Sequence, residues 1–178
     1  MEKREWVKVH LMCGVRTNIV TSAEVTGWTV HDSVMFRPLL DATAAKFAVS
    51  EVSADKGYSS RASAAAVEAI GAMPFIPFKA NTVAVSPNED SAWARMYHLF
   101  AYDRETSLRR YHQRSNVETV FSMIKGKFGD AVLSDSDTGQ HNEVLAKVLA
   151  HNICCVIGAI HELGIEPRFQ DPQSLRAG

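Results

Sequence analysis

With 178 residues, 46% of them hydrophobic, and a formal net charge of −1, the chain is long and apolar enough for one domain with a real core. It is too weakly charged to coat nucleic acid indiscriminately. No run of about 18 apolar residues offers a bilayer span, and the charged start over residues 1–6 lacks a secretory pattern, so the protein is expected in the cytosol.

Residues 7–14 alternate apolar side chains at Val7, Val9, Leu11 and Cys13, the period of a strand with one buried face. Arg16, Thr17 and Asn18 turn it into a second strand over residues 19–26, a hairpin ended by Gly27. Asp32 or Ser33 is placed to cap a helix running to about Lys46, with Pro38 inside it. A short strand over residues 49–54 then delivers Asp55 at its C-terminal end. Gly57 makes a turn there, and Ser59 or Ser60 caps an alanine-rich helix to Ile70, closed by Gly71.

A proline-flanked strand follows over residues 73–78, then a polar loop over residues 79–90. Helical patterning resumes near Ser91 and runs to Lys127, with a break between Asp103 and Ser107. Residues 129–139 are irregular, and residues 140–163 read as a mostly apolar helix whose Leu145, Val148, Leu149, Ile153 and Val156 are assigned to the core. His141, His151 and His161 point in three directions on that helix, which argues against a histidine metal site. Cys13, Cys154 and Cys155 are odd in number and lack C-x-x-C spacing, so they read as buried reduced thiols. The tail, residues 165–178, holds Pro167 and Pro172 and is expected to be loosely held, leaving residues 1–164 as the domain.

The most informative stretch is residues 111–125, YHQRSNVETVFSMIK. At about 100° per residue, a helix puts Tyr111, Arg114, Glu118 and Lys125 on one polar stripe roughly 60° wide. Val117, Val120, Phe121, Ile124 and Phe128 form an adjoining apolar band that must face a core. A carboxylate held between cations at the edge of buried surface suits a hard divalent cation or a phosphate. The plainer reading is an ordinary i,i+4 pair between Arg114 and Glu118. Around this stretch, residues 104–127 hold six Lys and Arg against two Glu, a local basic face that DNA phosphates would need.

The pattern Tyr111-x2-Arg114-x3-Glu118-x6-Lys125 resembles the signature around the last acidic residue of DDE transposases from bacterial insertion sequences. Ala54-Asp55-Lys56-Gly57-Tyr58 is similar to the segment carrying the second acid of that family, in the right order. Residues 6–10, His31-Asp32-Ser33 and residues 140–152 also read like it. On its own, Asp55 beside Gly57 would be a turn aspartate.

The resemblance implies a ribonuclease H-like α/β fold, a mixed sheet flanked by helices in which Asp55 and Glu118 meet at one sheet edge. It implies two Mg²⁺ ions held by three carboxylates for cutting and joining DNA strands, with Asp55 and Glu118 as the second and third acids. Arg114 and Lys125 would face the DNA phosphate near the break, Tyr111 would lie along the backbone, and Arg110 and Lys127 would add DNA contacts. The first acid is expected on a strand before the hairpin, where only six residues stand. Glu2 and Glu5 lie too close to the terminus, and Asp32 falls after the hairpin, in the wrong topological place. The chain is therefore expected to lack the first, central strand and to be inactive alone. Alternatives are a non-catalytic DNA-binding or assembly fragment that pairs with itself or with intact transposase, and an inert remnant.

Overall fold

The computed structural model describes residues 7–164; the expectations about Glu2, Glu5 and the tail after Gly164 lie outside the described residues. Strands β1 (Val7–Cys13) and β2 (Val20–Gly27) form the antiparallel hairpin, with Val9 opposite Val25 and a register shift between Met12 and Cys13. Helix α1 (Asp32–Ala44) follows, carrying Pro38. Its cap is His31, whose Nδ1 accepts the Ser33 N–H at 3.3 Å, not Asp32 or Ser33 as expected. Strand β3 (Glu51–Ser53) leads through a 3₁₀ turn at Lys56–Tyr58 into α2 (Arg61–Ala69), capped by Ser60 and followed by Gly71 at φ +75°.

Strand β4 (Met73–Phe75) pairs parallel to β3. Beyond the loop come α3 (Ala92–Tyr102) and α4 (Arg104–His112), with Asp103 as the break between them. A 3₁₀ turn at Gln113–Ser115 joins α4 to α5 (Asn116–Phe128). Helix α6 (Asp137–Leu163) starts three residues before the expected Gln140, because Ser136 accepts the Gly139 N–H.

The mixed sheet, expected to lack its first, central strand, is observed among the described residues as two two-stranded sheets, β1-β2 and β3-β4. Two apolar clusters hold the helices on opposite faces of the hairpin. Met12 packs with α1, β3 and α2–α3 around Phe36, Leu40, Val52 and Val67. Leu11 and Cys13, pointing the other way by strand alternation, pack with Val20, Val120, Ile124 and Val148 of α5 and α6. His10, on the face where alternation predicts polar exposure, is 5% exposed and bonds to Thr26 and Asp32.

α6 lies along β2 through polar side chains. Asn152 grips both backbone groups of Val20 at 2.8 Å, His141 reaches the Val25 carbonyl at 3.0 Å, and His151 the Asn18 carbonyl at 2.8 Å. These bonds cover a strand edge that would otherwise invite pairing. Val144, Val148 and His151 are the buried residues of α6. Leu145, Leu149 and Ile153, assigned to the core from sequence, are 43%, 62% and 51% exposed, and Val156 is half-buried. A two-stranded hairpin is too narrow to cover a broad apolar stripe, so only its centre is buried. By length and composition α6 could cross a membrane, against the expectation that no segment would. The three cysteines are free and half-buried rather than buried.

Candidate functional site

The end of α4 docks on β3. Arg110 Nη1 meets Glu51 Oε1 at 3.0 Å, and the Ser53 hydroxyl donates to the Arg110 carbonyl at 2.9 Å. On the other side of the turn, Asn116 Nδ2 donates to the Gly14 carbonyl at 3.2 Å, tying the start of α5 to the end of β1. Residues 113–116 keep right-handed helical backbone angles, so the polar stripe runs on through the 3₁₀ turn. Asp55 lies two residues beyond Ser53. This double docking brings Asp55 and residues 111–118 together across 63 positions of chain.

Arg114 is the hub. Its Nε lies 2.8 Å from the Tyr111 phenol oxygen, which accepts the bond, and 3.0 Å from Asp55 Oδ1; its Nη1 lies 3.0 Å from Glu118 Oε1. The guanidinium also sits over the Tyr111 ring, 5.3 Å from its centroid, a geometry that adds cation–π attraction. The Tyr111 bond raises the Arg114 pKa above its ordinary value, burial opposes that, and Glu118 and Asp55 add to it. Both carboxylates stay open to solvent, Asp55 at 58% and Glu118 at 67%. The expected i,i+4 pair is present, but it is half of a two-acid clasp. Nor does Asp55 act as a turn aspartate, because its side chain caps no backbone N–H.

The other candidates divide. Lys125 and Lys127 are exposed near the end of α5, Lys125 being about 10 Å along the helix axis from Glu118. Arg110, assigned to DNA contact from sequence, is engaged by Glu51, and Tyr111 is engaged by Arg114. Two of the six cations of residues 104–127, Arg110 and Arg114, are thus matched by acids from outside that segment.

Sequence reasoning set Asp32 aside, yet Asp32 and Asp55 line the same cavity. Asp32 is held by Lys8 at 2.6 Å and His10 at 3.3 Å. Between the two acids lies Tyr58, whose phenol is pushed up to about 12 by burial first, then by Asp32 and Asp55. A neutral phenol is favoured in the fold, so this contribution is present below pH 10.0 and is lost as pH rises through about 12. The gap is worth roughly 2–3 kcal/mol unscreened and about 1 kcal/mol once solvent screening is allowed for. Over that window the melting temperature of the wild type should fall more steeply than that of Tyr58→Phe; parallel curves would show that the fold does not hold the Tyr58 phenol neutral.

Asp55 and Glu118 offer hard oxygen ligands close together, a donor set that fits Mg²⁺, which takes one or two carboxylates and keeps several waters. Among the described residues, no cluster of three or more His, Cys, Asp or Glu side chains is placed to hold a metal.

Comparison with known proteins returned one family match: a family model described as a transposase DDE domain matches residues 2–153. No curated protein and no solved structure matches the chain.

Proposed function

Since the chain belongs to the transposase DDE domain family, whose work is divalent-metal-dependent DNA transposition, we propose that Asp55 and Glu118 are two of the carboxylates that hold Mg²⁺ at the DNA break. The single observation behind this reading is that one guanidinium binds both acids at 3.0 Å, although nothing local in the sequence joins them. Bound there, Mg²⁺ would neutralise phosphodiester charge and activate the attacking hydroxyl.

The rest follows from the chain's own side chains. Arg114 holds the carboxylates together until a cation takes its place, which frees its guanidinium for a phosphate oxygen. Tyr111 sets the orientation of Arg114. Lys125 and Lys127 supply positive charge along the DNA path on the same helix. The two small sheets and the helices packed on them are the α/β framework that carries the two acids. With α6 packed along β2 through three polar side chains, the reading places the protein in the cytoplasm with its DNA. The alternative of a purely DNA-binding fragment is weakened by the pairing of Arg110 and Arg114 with acids.

Mg²⁺ binding tests this directly. At ten times the Kd, the metal should stabilise the wild type by about 1.4 kcal/mol and raise its melting temperature by roughly 3–6 °C. Asp55→Asn and Glu118→Gln should each lose the shift. A shift retained in both variants, or absent from the wild type, would remove the acids from the metal site.

A further inference from the structure

The N-terminal end of α2 opens onto a second cavity, of about 280 Å³, whose wall includes Ser59, Arg61, Lys79, Asn81, Thr82 and Trp93. Among the described residues, none lines both this cavity and the larger one that Asp32 and Asp55 share. Ser60 caps α2, its hydroxyl accepting the Ser63 N–H at 3.0 Å, which leaves the N–H groups of Arg61 and Ala62 without a partner inside the helix. Ser59, one residue earlier, is 6% exposed, and its hydroxyl has no hydrogen-bond partner among the described residues. A buried hydroxyl left unpaired is costly, so the site calls for an acceptor.

The rest of the wall is cationic or polar. The Thr82 N–H donates to the Lys79 carbonyl at 2.9 Å, a turn that keeps Lys79, Asn81 and Thr82 close together. Arg61 is held from two sides. Glu89 takes both of its Nη groups, and its guanidinium lies over the Trp93 ring, 5.8 Å from the centroid. Lys79 is exposed and joins no ion pair among the described residues. Arg61 is therefore fixed and largely neutralised, and Lys79 carries the open charge.

We propose that this pocket holds one phosphate group, gripped by the Ser59 hydroxyl, the first N–H groups of α2 and the Lys79 ammonium. The free N–H groups and the dipole of a helix N-terminus attract anions, and here a hydroxyl and an ammonium add donors from other directions. A phosphate presents acceptor oxygens in several directions, whereas a carboxylate presents two in one plane. The phosphate can come from a DNA backbone or from free phosphate. Ser59 follows Asp55 by four positions through a 3₁₀ turn, about 8 Å of chain, so a DNA strand laid at the acids would have its backbone within reach. The DNA source, but not the pocket, rests on the role proposed for Asp55.

The test uses the whole chain without metal. Inorganic phosphate added at constant ionic strength should move the Arg61 and Ala62 amide NMR signals along a saturating curve and raise the melting temperature, and acetate should do neither. Ser59→Ala, which removes an unpaired buried donor, should melt at or above the wild-type temperature without phosphate and bind phosphate on the order of 10- to 100-fold more weakly. Lys79→Gln should leave the melting temperature unchanged and weaken phosphate binding as well. A short DNA duplex that reproduces the Arg61 and Ala62 shifts identifies the backbone as the source; shifts with inorganic phosphate alone identify free phosphate. The proposal is overturned by the absence of saturating shifts with both probes, by an equal response to acetate, or by phosphate binding unchanged in both variants.

Discussion

Replacing Glu118 by alanine is expected to lower Mg²⁺-dependent nicking by at least about 1,000-fold in an active transposase preparation that contains this domain, while DNA affinity stays within about two-fold. A metal contributes several kcal/mol of transition-state charge stabilisation, and each 1.36 kcal/mol is about tenfold in rate. The fold should be little affected. Glu118 is 67% exposed and its pairing with Arg114 is a surface i,i+4 bridge, a class worth about 0.3–0.5 kcal/mol. DNA affinity should hold because Lys125 and Lys127 are untouched and Arg114, released from one of its two acids, becomes more available to phosphate. Nicking assays on supercoiled DNA, with filter binding at a stated salt concentration, read both quantities. Nicking within tenfold of wild type would show that Glu118 is only the structural partner of Arg114.

What made residues 111–125 readable was periodicity. Four polar positions and an apolar band kept their helical spacing because the 3₁₀ turn at Gln113–Ser115 preserves right-handed backbone angles, and the apolar band does pack inward, with Val120 and Ile124 buried. The partner of that stripe was legible only by resemblance. The bonds that deliver Asp55 to Arg114 run from Ser53 and Glu51 to Arg110, across 57 and 59 positions, and no local pattern encodes such a pairing. Arg110, read from sequence as one more DNA contact, also anchors α4 on β3. Asp32, excluded from the site by chain order, stands where α1 starts beside β1, and its side chain turns back to Lys8 and His10. Among the described residues it completes no three-residue metal-binding cluster.

The apolar face of α6 shows where periodicity stops being informative. A stripe of Leu, Val and Ile says that a helix has a wide apolar side, not how much of that side a neighbour is broad enough to cover. Polar residues decide the docking here, because Asn152, His141 and His151 fix α6 along β2 and leave Leu149 and Ile153 outside.

That distinction can be measured as stability. Leu40 is fully buried, packed in the larger cluster with α2 and α3, and it also forms part of the wall between that cluster and the cavity. Leu40→Ala is expected to cost about 2–5 kcal/mol, a large share of the roughly 5–15 kcal/mol that holds a domain folded. The upper half of that range is favoured, because α1 is pinned on both sides and has little freedom to collapse into the gap. The Ser22 hydroxyl donates to its Leu39 carbonyl at 2.9 Å, Thr43 bonds to Thr21 and Ser22, and Phe36 stacks near Tyr58. Leu149→Ala on α6 removes the same atoms from a side chain that is 62% exposed, and should cost less than about 1 kcal/mol. Urea unfolding of both variants at equal m-values reads the difference. Equal losses would mean that the outer face of α6 is covered in solution, and the two-cluster description of the core would have to be redrawn around it.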